Sequence, residues 1–297
     1  MNNTNLNDKP RGTTSSFKRY LGNSKGRFSG IAKKGRRRFS FSIDKRQKFI
    51  LGVILLSLGL FGTQFQFSQS GIFVSIGLGV LTLLILFWAI HQDIKENRTY
   101  EVFILPFFYS LAFGLFYSLT PAAFVPRLLL TGIYAFGLYS LFLSQNIFAV
   151  SSVRTIALLS SSRIVSFVIT LISYFFLTNI VFTFHITIFP VIVVILFYSY
   201  FLIYHSLWTY ALQKDSQPLT TWVSALSICL VEVATIVWFW PANPTVTALF
   251  LTGFFYTIVG LSHIWFEKRL FKGILWEYMW VGVIVFFVLI LFTSWGK

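Results

Sequence analysis

Residues 227–240 read SICLVEVATIVWFW, fourteen positions with a single charged side chain, Glu232, near their middle. Runs of this kind recur along most of the chain. Of its 297 residues 56% are hydrophobic and 20% aromatic, and only 11% carry charge, against about 25% in soluble domains. A soluble fold of this size has too little interior to hide so much apolar surface.

Crossing the ~30 Å hydrocarbon layer of a bilayer takes about 20 mainly apolar residues per helix. Nine segments have that character: 48–65, 71–90, 102–119, 128–150, 164–184, 186–207, 220–240, 245–265 and 275–294. The fold class is therefore all-α, a polytopic transmembrane helix bundle of about nine spans. It occupies residues 48–297 and follows a basic tail over 1–47. Pro10, Pro121, Pro126, Pro218, Pro241 and Pro244 fall in the tail or between segments, where helices stop. Pro106 and Pro190 fall near segment starts, where a missing N–H costs least. The tight turn around His185 is the weakest boundary.

The formal net charge of +15 is concentrated at one end. Fourteen of the 24 Lys and Arg lie in residues 1–48, opposed only by Asp8 and Asp44, so this stretch holds twelve of the fifteen net charges. Basic residues in short loops favour the cytoplasm. With the tail inside, Lys95, Arg98, Arg154, Arg163, Lys214, Lys268, Arg269 and Lys272 share its side, and only Arg127 and Lys297 oppose them. The amino terminus is thus expected inside and the carboxyl terminus outside, in a cell membrane of the cytoplasmic or inner type.

The tail is rich in Gly, Ser and like charge, a composition that predicts disorder. An organelle transit peptide shares the Arg-rich, acid-poor bias. Lys33, Lys34, Arg36, Arg37, Arg38, Lys45, Arg46 and Lys48 precede the first span and suit anionic lipid headgroups. Such attraction is worth about 1 kcal/mol per basic residue near the surface and is screened by salt. No base-reading fold accompanies them, so no specific nucleic-acid partner is expected.

The chain lacks a phosphate loop, H-E-x-x-H, a nucleophile elbow and a dinucleotide-binding glycine fingerprint. Cys229 is its only cysteine, which excludes an intrachain disulfide and a cysteine-built zinc site. No motif calls for a cofactor. No gap between segments is long enough for a folded extramembrane domain, so the helices themselves carry the function.

Glu232 is the sharpest candidate. An acid within a span is expected to face the bundle or a wet cavity, as interhelical glue or as a proton- or cation-coupling residue. Ala225, Cys229 and Thr235 share its helix face and are small, which suits close approach of a second helix, as do Gly52 and Gly59 in the first segment. Asn179 is the nearest polar partner in depth, with Gln145 and Asn146 further off. Asn179, Thr235 and Glu232 together form the transport candidate.

A second constellation lies at the cytoplasmic boundary, where His91, His205 and His263 end segments and Glu101 and Glu277 begin them. Such groups at one depth are able to hold a divalent metal against a phosphate, although ordinary interfacial polarity has the same composition. Asp93 and Glu96 in the loop HQDIKENRTYE share a face if that loop is helical. Three functional classes follow: a small transporter or carrier, a lipid-processing enzyme with a cytoplasmic-side His and acidic site, and a non-catalytic scaffold that assembles with membrane partners or as a helix–helix oligomer.

A peptide of residues 1–48 is expected to bind liposomes that contain anionic lipid and to be released as salt is raised, measured by vesicle sedimentation. Equal binding to neutral vesicles would remove the headgroup role.

Overall fold

The computed structural model describes residues 45–62, 71–97, 99–121, 123–151, 158–211 and 219–293, with only the backbone described at 92–97. In hydrocarbon every backbone N–H and C=O needs a partner inside the protein, which the α-helix supplies within one segment. The described residues form nine such helices: α1 (Lys45–Gly62), α2 (Gly71–Asn97), α3 (Ile104–Leu119), α4 (Phe124–Ser151), α5 (Leu159–Thr183), α6 (Ile188–Ala211), α7 (Leu219–Trp238), α8 (Pro244–Phe266) and α9 (Lys272–Leu291). Eight are long and apolar enough to cross a membrane. The ninth, α1, has eighteen residues that include Lys45, Arg46 and Lys48. The protein is a multi-pass membrane protein built as a helical bundle.

The helix ends fall within a few residues of the expected segments, apart from α2. That helix runs on to Asn97 through a break at Ile90 (φ −113°, ψ 15°), where the apolar run gives way to HQDIKEN. Pro106, Pro126 and Pro190 each occupy the third position of a helix, before any carbonyl needs their missing N–H. Between α5 and α6 the chain reverses at His185, and between α8 and α9 at Lys268, both with positive φ (47° and 58°). The His185 turn joins two helices of 25 and 24 residues, each a full span.

Neighbouring helices run antiparallel, as their contacts show in register. A Cβ on Gly71 would meet Ser118, one on Gly114 would meet Ser75, and one on Gly79 would meet Phe107. The starts of α1, α3, α5, α7 and α9 therefore share one face with the ends of α2, α4, α6 and α8. We call this the basic face.

The packing scheme repeats. In the first quartet α1 packs on α2 and α4, α2 on α3 and α4, and α3 on α4; in the second, α5 packs on α6 and α8, α6 on α7 and α8, and α7 on α8. Burial follows the same register about 120 positions apart. Ser75, Leu78, Thr82, Leu86 and Ala89 of α2 are buried where α6 buries Ile195, Tyr198, Leu202, Ser206 and Thr209. On α4, Leu130, Tyr134, Leu138, Leu141 and Phe142 correspond to Leu251, Phe255, Val259, Ser262 and His263 of α8. LLLTGIY at 128–134 and LFLTGFF at 249–255 are the sequence trace of that match. Both quartets start at the basic face, so they are tandem and parallel, and α3 and α4 meet α5 to join them.

Close approach is set by glycine. Gly137 of α4 lies against the Tyr109 hydroxyl, which donates to the Tyr134 carbonyl (3.1 Å). Gly253 and Gly260 of α8 receive Val285 and Tyr278 of α9. Only Leu289 of α9 is buried, and that helix packs on α8 alone among the principal helix pairs. Its far end is tied by the Trp240 indole N–H to Thr293 Oγ1 (2.7 Å) and by a bridge between Ala242 and Thr293.

Because the Tyr109 ring is held by that bond and by stacking on Tyr134 (5.5 Å), it has little room to yield. Gly137→Ala is expected to cost about 1–3 kcal/mol, read as a lower melting temperature of the detergent-purified protein. An unchanged melting temperature would mean that the ring moves aside freely.

Candidate functional site

Small polar side chains let membrane helices approach and bond across them, and α5 carries a regular series of them. Ser162, Ser166, Thr170, Ser173, Tyr174, Thr178 and Asn179 are all buried, spaced so that each turn of the helix sends a hydroxyl or amide inward. From Ser162 to Asn179 the series runs about 25 Å at 1.5 Å per residue, most of the hydrocarbon thickness. Several of these hydroxyls are satisfied within the helix, as in Thr170 Oγ1 to Ser166 O and Ser173 Oγ to Ile169 O, both 2.8 Å. Others reach neighbouring helices. Thr178 Oγ1 lies 2.8 Å from the Tyr198 hydroxyl, Ser199 Oγ donates to the Tyr174 hydroxyl (3.5 Å), and Asn179 Nδ2 donates to Thr245 Oγ1 (3.1 Å).

Towards the basic face the series opens into a larger cluster. Ser206 Oγ of α6 is 2.9 Å from His263 Nε2 of α8. The His263 ring stacks on Tyr210 (4.2 Å) and meets Phe167 edge-on (4.7 Å). Arg163 of α5 then closes this end. Its Nε donates to the Thr209 carbonyl (3.0 Å), its guanidinium lies over the Tyr210 ring (4.6 Å), and its Nη1 is 3.8 Å from Glu267 Oε1 just past α8. One side chain thereby ties α5, α6 and the end of α8 together. Trp222 of α7 donates to Ser262 Oγ (3.3 Å) beside it.

His205, the neighbour of Ser206, points instead towards the first quartet, where its Nε2 lies 3.3 Å from Gln145 Oε1 of α4. Both side chains are fully buried, and Gln145 Nε2 and His205 Nδ1 have no hydrogen-bond partner among the described residues. A buried donor left unmatched costs about 1–3 kcal/mol, so this pair is an expensive feature for the fold to keep. At the opposite face a cavity of about 310 Å³ opens between α5, α7 and α8, lined by Val181, Phe182, Val237, Trp238, Trp240 and Thr247 among others.

The residues singled out in the sequence are distributed differently from expectation. Glu232 is exposed on the outer side of α7 and does not face the bundle. Asn179 pairs with Thr245, and Thr235 bonds back to the Val231 carbonyl (2.7 Å), so the three transport candidates do not form one group. His91 sits against the Phe87 ring (4.8 Å), apart from the bonds made by His205 and His263. Among the described residues, no group of three or more His, Cys, Asp or Glu is placed to hold a metal ion. Of the basic residues before the first span, Lys33, Lys34, Arg36, Arg37 and Arg38 lie outside the described residues. Lys45, Arg46 and Lys48 open α1, with Lys48 Nζ over the Trp88 ring (4.9 Å). The backbone around Asp93 and Glu96 is helical. Sequence reasoning passed over Arg163 as a loop charge and missed the α5 series, whose signal was its regular spacing.

Coupling across the α6–α8 contact is measurable by a double-mutant cycle on Ser206→Ala and His263→Ala. Interhelical hydrogen bonds of this kind average about 0.6 kcal/mol and reach about 1.7. Strictly additive losses of stability would show that the two side chains do not bond.

Neither a curated protein nor a solved structure matches the chain. One family does, described as "Protein of unknown function (DUF5656)", over residues 52–292, which takes in eight of the helices whole and most of α1. With most of its length inside that match, the chain belongs to this family of unknown function.

Proposed function

We propose that the protein is a carrier that moves protons, alone or with a small polar solute, through the interior of α5, α6 and α8. The observation that carries this reading is the polarity of the second quartet at two neighbouring positions towards the basic face where the first is apolar. Ser206 and His263 stand where the same scheme holds Leu86 and Phe142. The architecture thus has an apolar solution at that place, and packing alone does not call for a hydroxyl and an imidazole there.

Three further features support it. The α5 series supplies polar groups at successive depths, as a path through hydrocarbon needs. His263 and His205 are side chains of a type that exchanges protons, and Gln145 Nε2 and His205 Nδ1 are buried groups without a partner among the described residues. The cavity at the far face lies at one end of the series, and Arg163 with Tyr210 and Glu267 closes the other. In this reading the basic face is cytoplasmic, following the distribution of Lys and Arg, so the cavity lies on the outward side and the Arg163 contacts on the inward side. A cell membrane of the cytoplasmic or inner type is the setting it implies.

The test is proton flux into liposomes that carry the purified protein and an enclosed pH-sensitive dye, driven by a valinomycin-set potassium potential. Wild-type vesicles are expected to acidify several-fold faster than protein-free ones. His263→Ala and Ser206→Ala should remove most of that excess, while the exposed substitution Ser118→Ala retains it. Wild-type vesicles that behave like empty ones, with and without added small metabolites, would defeat the proposal.

A further inference from the structure

Glu232 lies apart from the polar interior. α7 packs on α6 and α8 and buries Val223, Ser227, Leu230, Ala234 and Val237. Ala225, Ile228, Glu232 and Ile236 lie on the opposite side and are exposed. Glu232 is the fourteenth of the twenty residues of α7, about 20 Å from the start of the helix and about 9 Å from its end at 1.5 Å per residue. A glutamate side chain is too short to bring its carboxyl to the nearer end. The acid therefore stands on the bundle's outer surface at a depth where lipid offers no hydrogen bond, and ionisable groups at such depths pair with one another or with protein.

This chain keeps its own described cations at other depths. Among the described side chains, Lys45, Arg46 and Lys48 open α1, Arg127 is in the first turn of α4, and Arg163 lies near the start of α5. Lys268, Arg269 and Lys272 surround the turn before α9. All are at helix ends. A second copy docked on α7 about a two-fold axis along the membrane normal would bring another Glu232 to the same level, and no positive charge with it.

We propose that the exposed face of α7 docks a membrane-spanning helix of a different protein, one that carries a Lys or Arg at the depth of Glu232. The small side chains of Ala225 and Cys229 let that helix approach closely, Ile228 and Ile236 supply its apolar contact, and the carboxylate fixes its depth and rotation.

The probe is a synthetic Leu/Ala transmembrane helix with one Lys at the matching depth, labelled with an energy-transfer acceptor and mixed in liposomes with donor-labelled, full-length protein. Two control helices carry Leu at that position or have the Lys moved to the helix end. The mid-depth Lys helix is expected to associate roughly tenfold more strongly than either control. Glu232→Gln should abolish the preference. Ile228→Trp, which crowds the face and leaves the acid in place, should weaken it, with both variants keeping the wild-type melting temperature. Equal association of all three helices, a preference that survives Glu232→Gln, or a Glu232-dependent homodimer in the absence of added helix would each overturn the proposal.

Discussion

Inside hydrocarbon, a polar group that the protein does not satisfy stays unsatisfied, and most features of this bundle are responses to that condition. The backbone answers it by becoming helix over nearly every described residue. Serine and threonine answer it locally. Thr131, Thr170, Ser227 and Thr252 each reach the carbonyl one turn back, which leaves a nearly apolar exterior on the hydroxyl side. Such residues cost the bundle little and let helices approach, as Gly137, Gly253 and Gly260 do by having no side chain. Groups that cannot be satisfied within their own helix are the informative ones, because a second helix must be committed to each.

By that measure the two quartets differ. In the first, the interhelical polar contacts centre on one knot of hydroxyls, Thr82 with Ser110 and Ser110 with Tyr134, surrounded by aromatic packing such as Phe113 against Phe176. In the second, interhelical polar contacts occur at several depths, from Asn179–Thr245 near the far face through Thr178–Tyr198 to Ser206–His263 and Arg163–Glu267 near the basic face. Two halves that share a packing scheme and a burial register need not share a task. The first packs on α5 mainly through apolar and aromatic contacts, and the second bonds its helices to one another at several depths.

How much of this was legible in the sequence depends on which coordinate is asked for. Depth was readable, because a span needs only length and apolarity. The nine segments match the helices to within a few residues apart from the run of α2 on to Asn97, and Pro106 and Pro190 fall in first turns as expected, whereas Pro126 lies inside α4 and not before it. Rotation about each helix axis was much harder to read. On α7 the inward residues Val223, Leu230 and Val237 are no more apolar than the outward Ile228 and Ile236, so no periodicity told which way Glu232 points. His205 and His263 have the same difficulty: their position near helix ends suggested a wet rim, whereas both are turned into the bundle. The α5 series was readable in principle. Ser162, Ser166, Thr170 and Ser173 recur at helical spacing, and a polar stripe on a membrane helix faces protein.

The arrangement of α5 also explains why the contacts at the basic face centre on Arg163. α5 is the helix shared by both quartets, touching α3 and α4 on one side and α6 and α8 on the other. A cation near its start at the basic face is therefore within reach of the ends of α6 and α8, and an arginine there can bond a carbonyl, cover an aromatic ring and approach a carboxylate at once. Lysine has a single ammonium and would have to choose among these partners. The contact with Glu267 is the longest and most exposed of the three, at 3.8 Å with the carboxylate side chain 36% accessible, so it contributes little by itself. Most of the hold comes from Thr209 and Tyr210, both on α6. A movement of α6 relative to α5 would break those two contacts together, whereas a movement of α8 would break only the weak one. Arg163 therefore holds α5 to α6, the helix that also carries His205 and Ser206, more firmly than to the end of α8.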